Sequence, residues 1–395
     1  MNQTDPDPAY IKVETHRSGP FVFQIGLDMG LLQPLLDRVK DAQQRFSSMP
    51  ILPDIATSLE REVLVSSIYG TNTIEAGTIT EQETAAALDL EPGQVKLEEQ
   101  RRVSNIKQAY LRAENFAQLI VNNHGPQSCP LSEIYFKDLH RLITDGLTHP
   151  NNMPGEYRDN PKGLNTRMGD MAHGGVYQPP KCRDDIDLLM QAFIDWANSE
   201  LVMGLDPLLR APLIHYYFEA IHPFWDGNGR TGRVIEALVL KSAGLKYAPF
   251  AMSRYYLEHI DEYFSAFNQT RKAAEQRAAF PNTVFVNLFL NGMLSVMNKL
   301  HERANSMIGI LLFGNQLRQM LDSKEINLRQ YTIVSQLMNL VQMPAIQELQ
   351  RLPWYDSLYK KLTSKTRSRD IQDLLKKGLL KLGENNRLVL GIPGR

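Results

Sequence analysis

Apolar and charged residues recur at three- and four-residue spacing through most of the chain, the pattern of helices that bury one face. The spacing predicts helices over Leu32–Phe46, Ser58–Ile68, Glu81–Leu88 and Leu97–Ile120. Val121-Asn122-Asn123-His124-Gly125-Pro126 interrupts the pattern and reads as a joint between domains. A second helical block follows, over Leu131–Leu147, Ile186–Asn198, Asp206–Ile221, Gly229–Ala243, Leu257–Gln276 and Pro281–Met320. Runs that alternate β-branched with polar residues are few, so the fold class is mainly α.

Between Met153 and Pro180 lies a long stretch rich in glycine and proline, either a functional loop or a tolerated surface insertion. The last third changes character. Helices are predicted over Asn327–Met343, Ala345–Leu352 and Lys365–Lys377, with Gly378 just past the third. Leu379–Leu382 and Arg387–Leu390 then flank the turn Gly383–Asn386. Three helices and a hairpin are the layout of a winged helix-turn-helix. Residues 357–387 hold nine Lys/Arg against three Asp/Glu, which suits contact with DNA phosphates. A protein-docking module of the same shape is the alternative. The amphipathic stretch Pro281–Met320 suits either internal packing or a homodimer seam.

Composition narrows little. Hydrophobic residues make up 43% of 395 and charged residues 22%, with a formal net charge of −1. No global field argues for nucleic acid or membrane surfaces, so local charge must carry any such reading. The two cysteines, Cys129 and Cys182, form no metal-ligand or disulfide spacing, which suits a reducing compartment. The acidic, proline-bearing start at residues 1–8 is unlike a secretory signal. The longest apolar run, near Met307–Phe313, falls far short of the roughly 18 residues of a membrane span. The expected location is cytoplasmic.

Chemistry concentrates in twelve residues, His222-Pro223-Phe224-Trp225-Asp226-Gly227-Asn228-Gly229-Arg230-Thr231-Gly232-Arg233. Asp206-Pro207 starts the preceding helix, in which Pro212 calls for a kink or a later start. His222 ends that helix because Pro223 bars it from helical geometry. Its imidazole is a candidate general base. Gly227-Asn228-Gly229 can turn the backbone into an anion-binding nest at the start of the next helix. Arg230 and Arg233, three apart, share a face of that helix and could grip phosphates. Asp226 can hold Mg²⁺ while phosphate oxygens complete its shell. No GxxxxGK[ST] occurs, so this is not a P-loop.

These residues resemble the signature of the Fic family, HPFx[D/E]GNGRxxR, at every fixed position. His215–Ile221 is similar to the family's lead-in. The resemblance implies a helical core that transfers AMP from ATP to a Tyr, Thr or Ser hydroxyl of a target protein. It assigns His222 as base, Asp226 as Mg²⁺ ligand, and Gly227, Asn228 and Gly229 to the α- and β-phosphates. Arg230 and Arg233 would hold the β- and γ-phosphates. Gly155–Arg158 and Tyr177–Pro180 look like the ends of the family's substrate flap, a short β-hairpin with Arg167, Met168 and Gly169 on its strand. Ser253–His259 is similar to a segment beside the adenine, which places His259 and Tyr263 near the base, with His259 where asparagine is typical.

Thr71-Asn72-Thr73-Ile74-Glu75 resembles the family's inhibitory motif [S/T]xxxE[G/N], with Ala76 in the last place and Gly77 one residue late. The resemblance implies that Glu75 pairs with Arg233 and denies it to the γ-phosphate; an ordinary solvated glutamate is the alternative. A charge-assisted bond of this kind contributes about 1.5–3 kcal/mol. The chain then divides into an N-terminal helical region with the inhibitory motif (1–125), a Fic core with the following helices (126–310) and a winged-helix-like domain (311–395). Other readings keep the nucleotide site but use another donor, remove AMP with water, or make the site a sensor on a winged-helix transcriptional regulator.

Overall fold

The computed structural model describes residues 9–125, 129–161, 164–340 and 342–392. The acidic start at 1–8, Pro126 of the expected joint and Gly163 of the irregular stretch lie outside the described residues. The chain packs as two compact units, where the sequence pattern suggested three segments. One comprises the described residues of Met1–Pro50 and Ala56–His301, the other those of Ile51–Ile55 and Glu302–Arg395. The expected joint after residue 120 is not a boundary between them.

The first unit opens with a hairpin that the sequence pattern did not predict, β1 (Ile11–Glu14) antiparallel to β2 (Pro20–Phe23). Its anchor is Phe23, fully buried against Phe193, Trp196 and Tyr217. The turn between the strands is tied down by Asp185, whose carboxylate accepts from His16 N, Arg17 N and Ser18 Oγ.

Helices follow: α1 (Met29–Ser47), α2 (Pro53–Ile74), α3 (Glu81–Leu88), α4 (Glu98–His124), α5 (Glu133–Thr144), α6 (Arg183–Ala197) and α7 (Glu200–Met203). Then come α8 (Pro207–Ile221), α9 (Asn228–Ser242), α10 (Ala248–Glu258), α11 (Ile260–Glu275) and α12 (Thr283–Asp322), whose residues from Glu302 onward belong to the second unit. Thr80 and Glu83 form a capping box that fixes the start of α3. The helix expected over Leu257–Gln276 is two, α10 and α11, broken at His259 (φ −122°, ψ 41°).

At the centre lies α8, packed on α9, with every residue from Leu208 to Glu219 buried. A helix covered on all sides reads as apolar all round, as this one does. Asp206 caps it through a bond from Leu208 N (2.9 Å), and the helix runs on through Pro212 to Ile221 without a break. Gly70 brings α2 against α10: a Cβ there would lie 2.8 Å from Ser253 O. That close approach carries the end of α2 to the start of α9.

The second unit holds α13 (Leu328–Met338), α14 (Ile346–Leu349), α15 (Pro353–Leu358), α16 (Ser364–Lys376) and a hairpin of β3 (Leu380–Leu382) with β4 (Leu388–Leu390). The helices expected over Asn327–Met343 and Ala345–Leu352 are shorter than the pattern suggested, and α15 was not anticipated. Its core includes Ile333, Leu337, Leu349, Tyr355, Leu374 and Leu388. Buried Asp370 accepts from Arg329 Nε and Tyr359 Oη. Gly378 takes φ +72° just past α16, the left-handed turn that ends helices. Cys129 and Cys182 are both buried and free. Among the described residues no helix is long and apolar enough to cross a membrane.

Candidate active site

The C-terminus of α8 and the N-terminus of α9 meet in a six-residue turn, His222–Gly227, which several side chains hold in place. His222 N donates to Phe218 O (2.9 Å) and closes α8 with φ 50° and ψ 60°. A left-handed residue other than glycine costs roughly 1–2 kcal/mol, so its surroundings must hold it. Buried Arg158 does so: its Nε donates to His222 O (2.8 Å), and its own N–H donates to Pro223 O (2.9 Å). Its Nη2 donates to Pro180 O (2.7 Å), so one guanidinium joins the turn to both ends of the irregular stretch.

Two further side chains fix the turn. Asn228 accepts from Phe224 N (2.9 Å) and donates to Phe224 O (2.8 Å). One amide hydrogen and the carbonyl oxygen of this side chain thus bond the Phe224 backbone. His140 of α5 was not anticipated. Gly155 N donates to its Nδ1 (2.9 Å), which leaves Nε2 to donate to Asp226 O (2.9 Å). Its ring stacks on Phe224 with centroids 3.6 Å apart. Burial lowers its pKa to about 4, and the ring is neutral.

Gly227 takes φ +76° and supplies no side-chain cap to α9. A Cβ at Gly227 would press within 2.8 Å of Thr144 Cγ2. The N–H groups of Asn228, Gly229 and Arg230 therefore lack intrahelical acceptors, as the first turn of any helix does, and the helix dipole favours an anion there. Arg230 is buried, donating through Nη2 to Asp226 Oδ1 (2.9 Å), while its Nε and Nη1 have no partner among the described residues. Orphaned guanidinium donors at a helix N-terminus fit a phosphate.

Burial would raise the Asp226 carboxyl, but the Arg230 charge and hydrogen bond hold it below the usual carboxylate value. Among the described residues no group of three His, Cys, Asp or Glu gathers in metal-binding fashion. A divalent cation here would thus have one protein carboxylate and would draw the rest of its shell from phosphates and water.

Arg233 is buried and occupied. Its Nη2 donates to Glu75 Oε1 (2.7 Å), its Nε to Thr71 Oγ1 (2.9 Å) and its Nη1 to Tyr263 Oη (3.2 Å). Glu75 also lies over the start of α9, where a Cβ at Gly229 would collide with Glu75 Oε1. Ala76 takes φ 61°, the left-handed region that Gly or Asn adopts most easily, so the backbone accounts for the motif's usual residue and leaves the alanine strained. Gly77 is required because a Cβ there would collide with Asn72.

Tyr263, expected beside the adenine, is 2% exposed, and its hydroxyl lies 3.2 Å from Arg233 Nη1 and 3.1 Å from His215 Nε2. His215 Nδ1 in turn meets Glu236 Oε2 (2.7 Å), which accepts from Tyr256 Oη (2.8 Å). His259 is partly exposed at the break between α10 and α11, against the Tyr255 ring and 3.4 Å from Glu262.

The expected hairpin flap is reduced to one bridged pair. Met168 and Tyr177 exchange N–H···O bonds of 2.9 and 2.8 Å, with Arg167 and Gly169 exposed beside them. Gly169, Gly174 and Gly175 all take positive φ, which curls the segment into a turn too tight for longer pairing. His173 pins that turn to α11, with Nε2 2.9 Å from Asp261 and Nδ1 2.9 Å from Asp170.

Residues 130–240 match the model of the Fic/DOC family. Over that segment the chain is similar to the Fic/DOC family. It is 29% identical over 240 residues to the protein adenylyltransferase Fic of Nematostella vectensis, covering 60% of this chain and 50% of that protein. To the protein of the same name from Drosophila willistoni it is 38% identical over 130 residues, 31% of this chain and 24% of that one. The chain thus spans half or less of the length of these curated relatives. Among solved structures, Fic-1 from C. elegans shares the fold at TM-score 0.53 and 22% identity, over 70% of this chain and 74% of that one. A Fic family protein from Desulfovibrio desulfuricans G20 does so at TM-score 0.53 and 19% identity, over 92% and 96%.

Proposed function

We propose that the chain is a protein adenylyltransferase restrained by its own Glu75. The observation that carries this reading is the turn itself: an imidazole, a nest of free N–H groups and a buried arginine with unspent donors converge at the start of α9. A target hydroxyl of Tyr, Thr or Ser loses its proton to His222 as its oxygen bonds the α-phosphorus of ATP. The bond to the bridging oxygen breaks, and pyrophosphate leaves. Arg230, Arg233 and the N–H groups of α9 stabilise charge on the phosphates. Mg²⁺, held by Asp226 and phosphate oxygens, would neutralise part of the triphosphate charge. The bridged pair Met168–Tyr177, with Arg167 and Gly169 beside it, offers an edge for an extended target segment.

The restraint follows from occupancy. Glu75 takes a donor of Arg233 and places a carboxylate over Gly229, where a γ-phosphate would need both. ATP labelled at the α-phosphorus tests the reaction: transfer of label to protein supports it, whereas transfer only from the γ-position identifies phosphoryl transfer instead.

For the second unit, a nucleic-acid role is favoured by one observation. Lys361, Lys365, Arg369 and Lys376, on and just before α16, are exposed and form no ion pair among the described residues. Such a face suits phosphates, in keeping with a winged-helix reading of 311–395.

A further inference from the structure

We propose that Glu219 is the positioning partner of His222, its carboxylate directing the imidazole so that Nε2 faces the incoming hydroxyl. This rests on the adenylyl-transfer reading and adds a residue to it. The two side chains are three positions apart at the end of α8, and His222 Nδ1 lies 3.6 Å from Glu219 Oε2. His222 Nδ1 and the other carboxylate oxygen, Glu219 Oε1, are both buried without a hydrogen-bond partner among the described residues. Glu219 is 5% exposed. A carboxylate removed from water without compensation is costly, and the His222 ring is the group within ion-pair reach that can compensate it.

A gap of 3.6 Å is too long for a formed hydrogen bond. Closing it takes a shift of under about 1 Å, and bonds of this kind are commonly long before substrate binds. The fold reserves room for the carboxylate. Gly232, on α9, faces it, and a Cβ there would stand 2.7 Å from Glu219 Oε1. The His222 backbone cannot drift, since its N–H is bonded to Phe218 and its carbonyl to Arg158. Charged and titratable groups beside the pair include Arg158, whose Nε donates to His222 O, His215 on α8 and Tyr263 on α11; burial first, with the Glu219 charge contributing, raises the Tyr263 hydroxyl.

The chemistry follows from the tautomer. With Nδ1–H aimed at Glu219, neutral His222 presents the Nε2 lone pair to the hydroxyl. When Nε2 takes the proton, the imidazolium keeps Nδ1–H and is stabilised by the adjacent carboxylate. Glu219 itself gains no proton at any step.

The test uses the Glu75→Gly protein with Glu219→Gln and Glu219→Leu added. Glu219→Leu should lower kcat for AMP transfer by at least about tenfold with KM for ATP unchanged. Glu219→Gln, which can still accept from Nδ1–H, should fall between. Nitrogen NMR of the His222 ring, assigned by its loss in His222→Ala, should show an Nδ1-protonated tautomer that shifts in Glu219→Leu. An unchanged ring tautomer and unchanged kcat in Glu219→Leu overturn the proposal, as does a kcat loss matched by a rise in ATP KM. If Glu75→Gly transfers no AMP at all, the activity reading fails, while the ring tautomer still decides whether Glu219 orients His222.

Discussion

Glu75 and Arg233, 158 residues apart in sequence, meet through a 2.7 Å bond from Nη2 to Oε1. The arginine is buried while the glutamate keeps about a quarter of its side chain in solvent. A pair with one exposed member can open without unfolding anything around it. Thr71 and Tyr263 hold the arginine from other sides, so removing Glu75 frees its charge without freeing its position.

Glu75→Gly should therefore raise AMP incorporation by about tenfold to a hundredfold, the equivalent of a charge-assisted bond of roughly 1.5–3 kcal/mol. Initial rates with α-labelled ATP read the effect. Thr71→Val should raise the rate less, because the carboxylate remains on Nη2.

Asn228→Ala should destabilise the protein by about 1–3 kcal/mol, since it strands the buried N–H and C=O of Phe224. Chemical denaturation measures it. Activity should be lost with stability, because the turn that aims His222 and Asp226 depends on that amide.

His140 predicts a pH dependence. Its folded pKa of about 4 lies below the ordinary histidine value of roughly 6.5, so the unfolded chain binds the extra proton first. Stability is full above about pH 6.5 and falls as pH drops toward 4, by about 3 kcal/mol from this group. His140→Phe, which keeps the stack on Phe224, should flatten that part of the curve in denaturant titrations at stepped pH. It should also lower stability at pH 7, because Gly155 N–H and Asp226 C=O lose their partner.

If the second unit contacts nucleic acid, binding must weaken steeply with salt, since Lys and Arg contacts release counterions. Gel shifts with Lys365→Glu and Arg369→Glu should lose binding relative to the unaltered chain. Salt-independent retention would rule out phosphate recognition by this face.

The sequence carried the turn from His222 to Arg233 almost whole, because its parts are local: a proline that stops one helix, glycines that shape a nest and arginines three apart. Contacts across the chain were harder to read. His140 sits on the apolar face of α5 like any core residue, and its partners lie 15 and 86 positions away. Nothing local reveals that the Tyr263 hydroxyl is buried between Arg233 and His215. The hairpin of β1 and β2 escaped notice because β1 is mostly exposed and Phe23 alone anchors the pair in the core. His259 breaks a helix whose periodicity continues on both sides of it, so the pattern reads as unbroken.

AMP transfer by this turn, with His222 removing the proton, can be read from added mass. Intact mass spectrometry of Glu75→Gly and of Glu75→Gly/His222→Ala, each incubated with ATP and Mg²⁺, tests it most directly. Added mass in whole units of AMP is expected on the first protein and none on the second. Equal addition to both, or none to the first while it binds ATP, would contradict it.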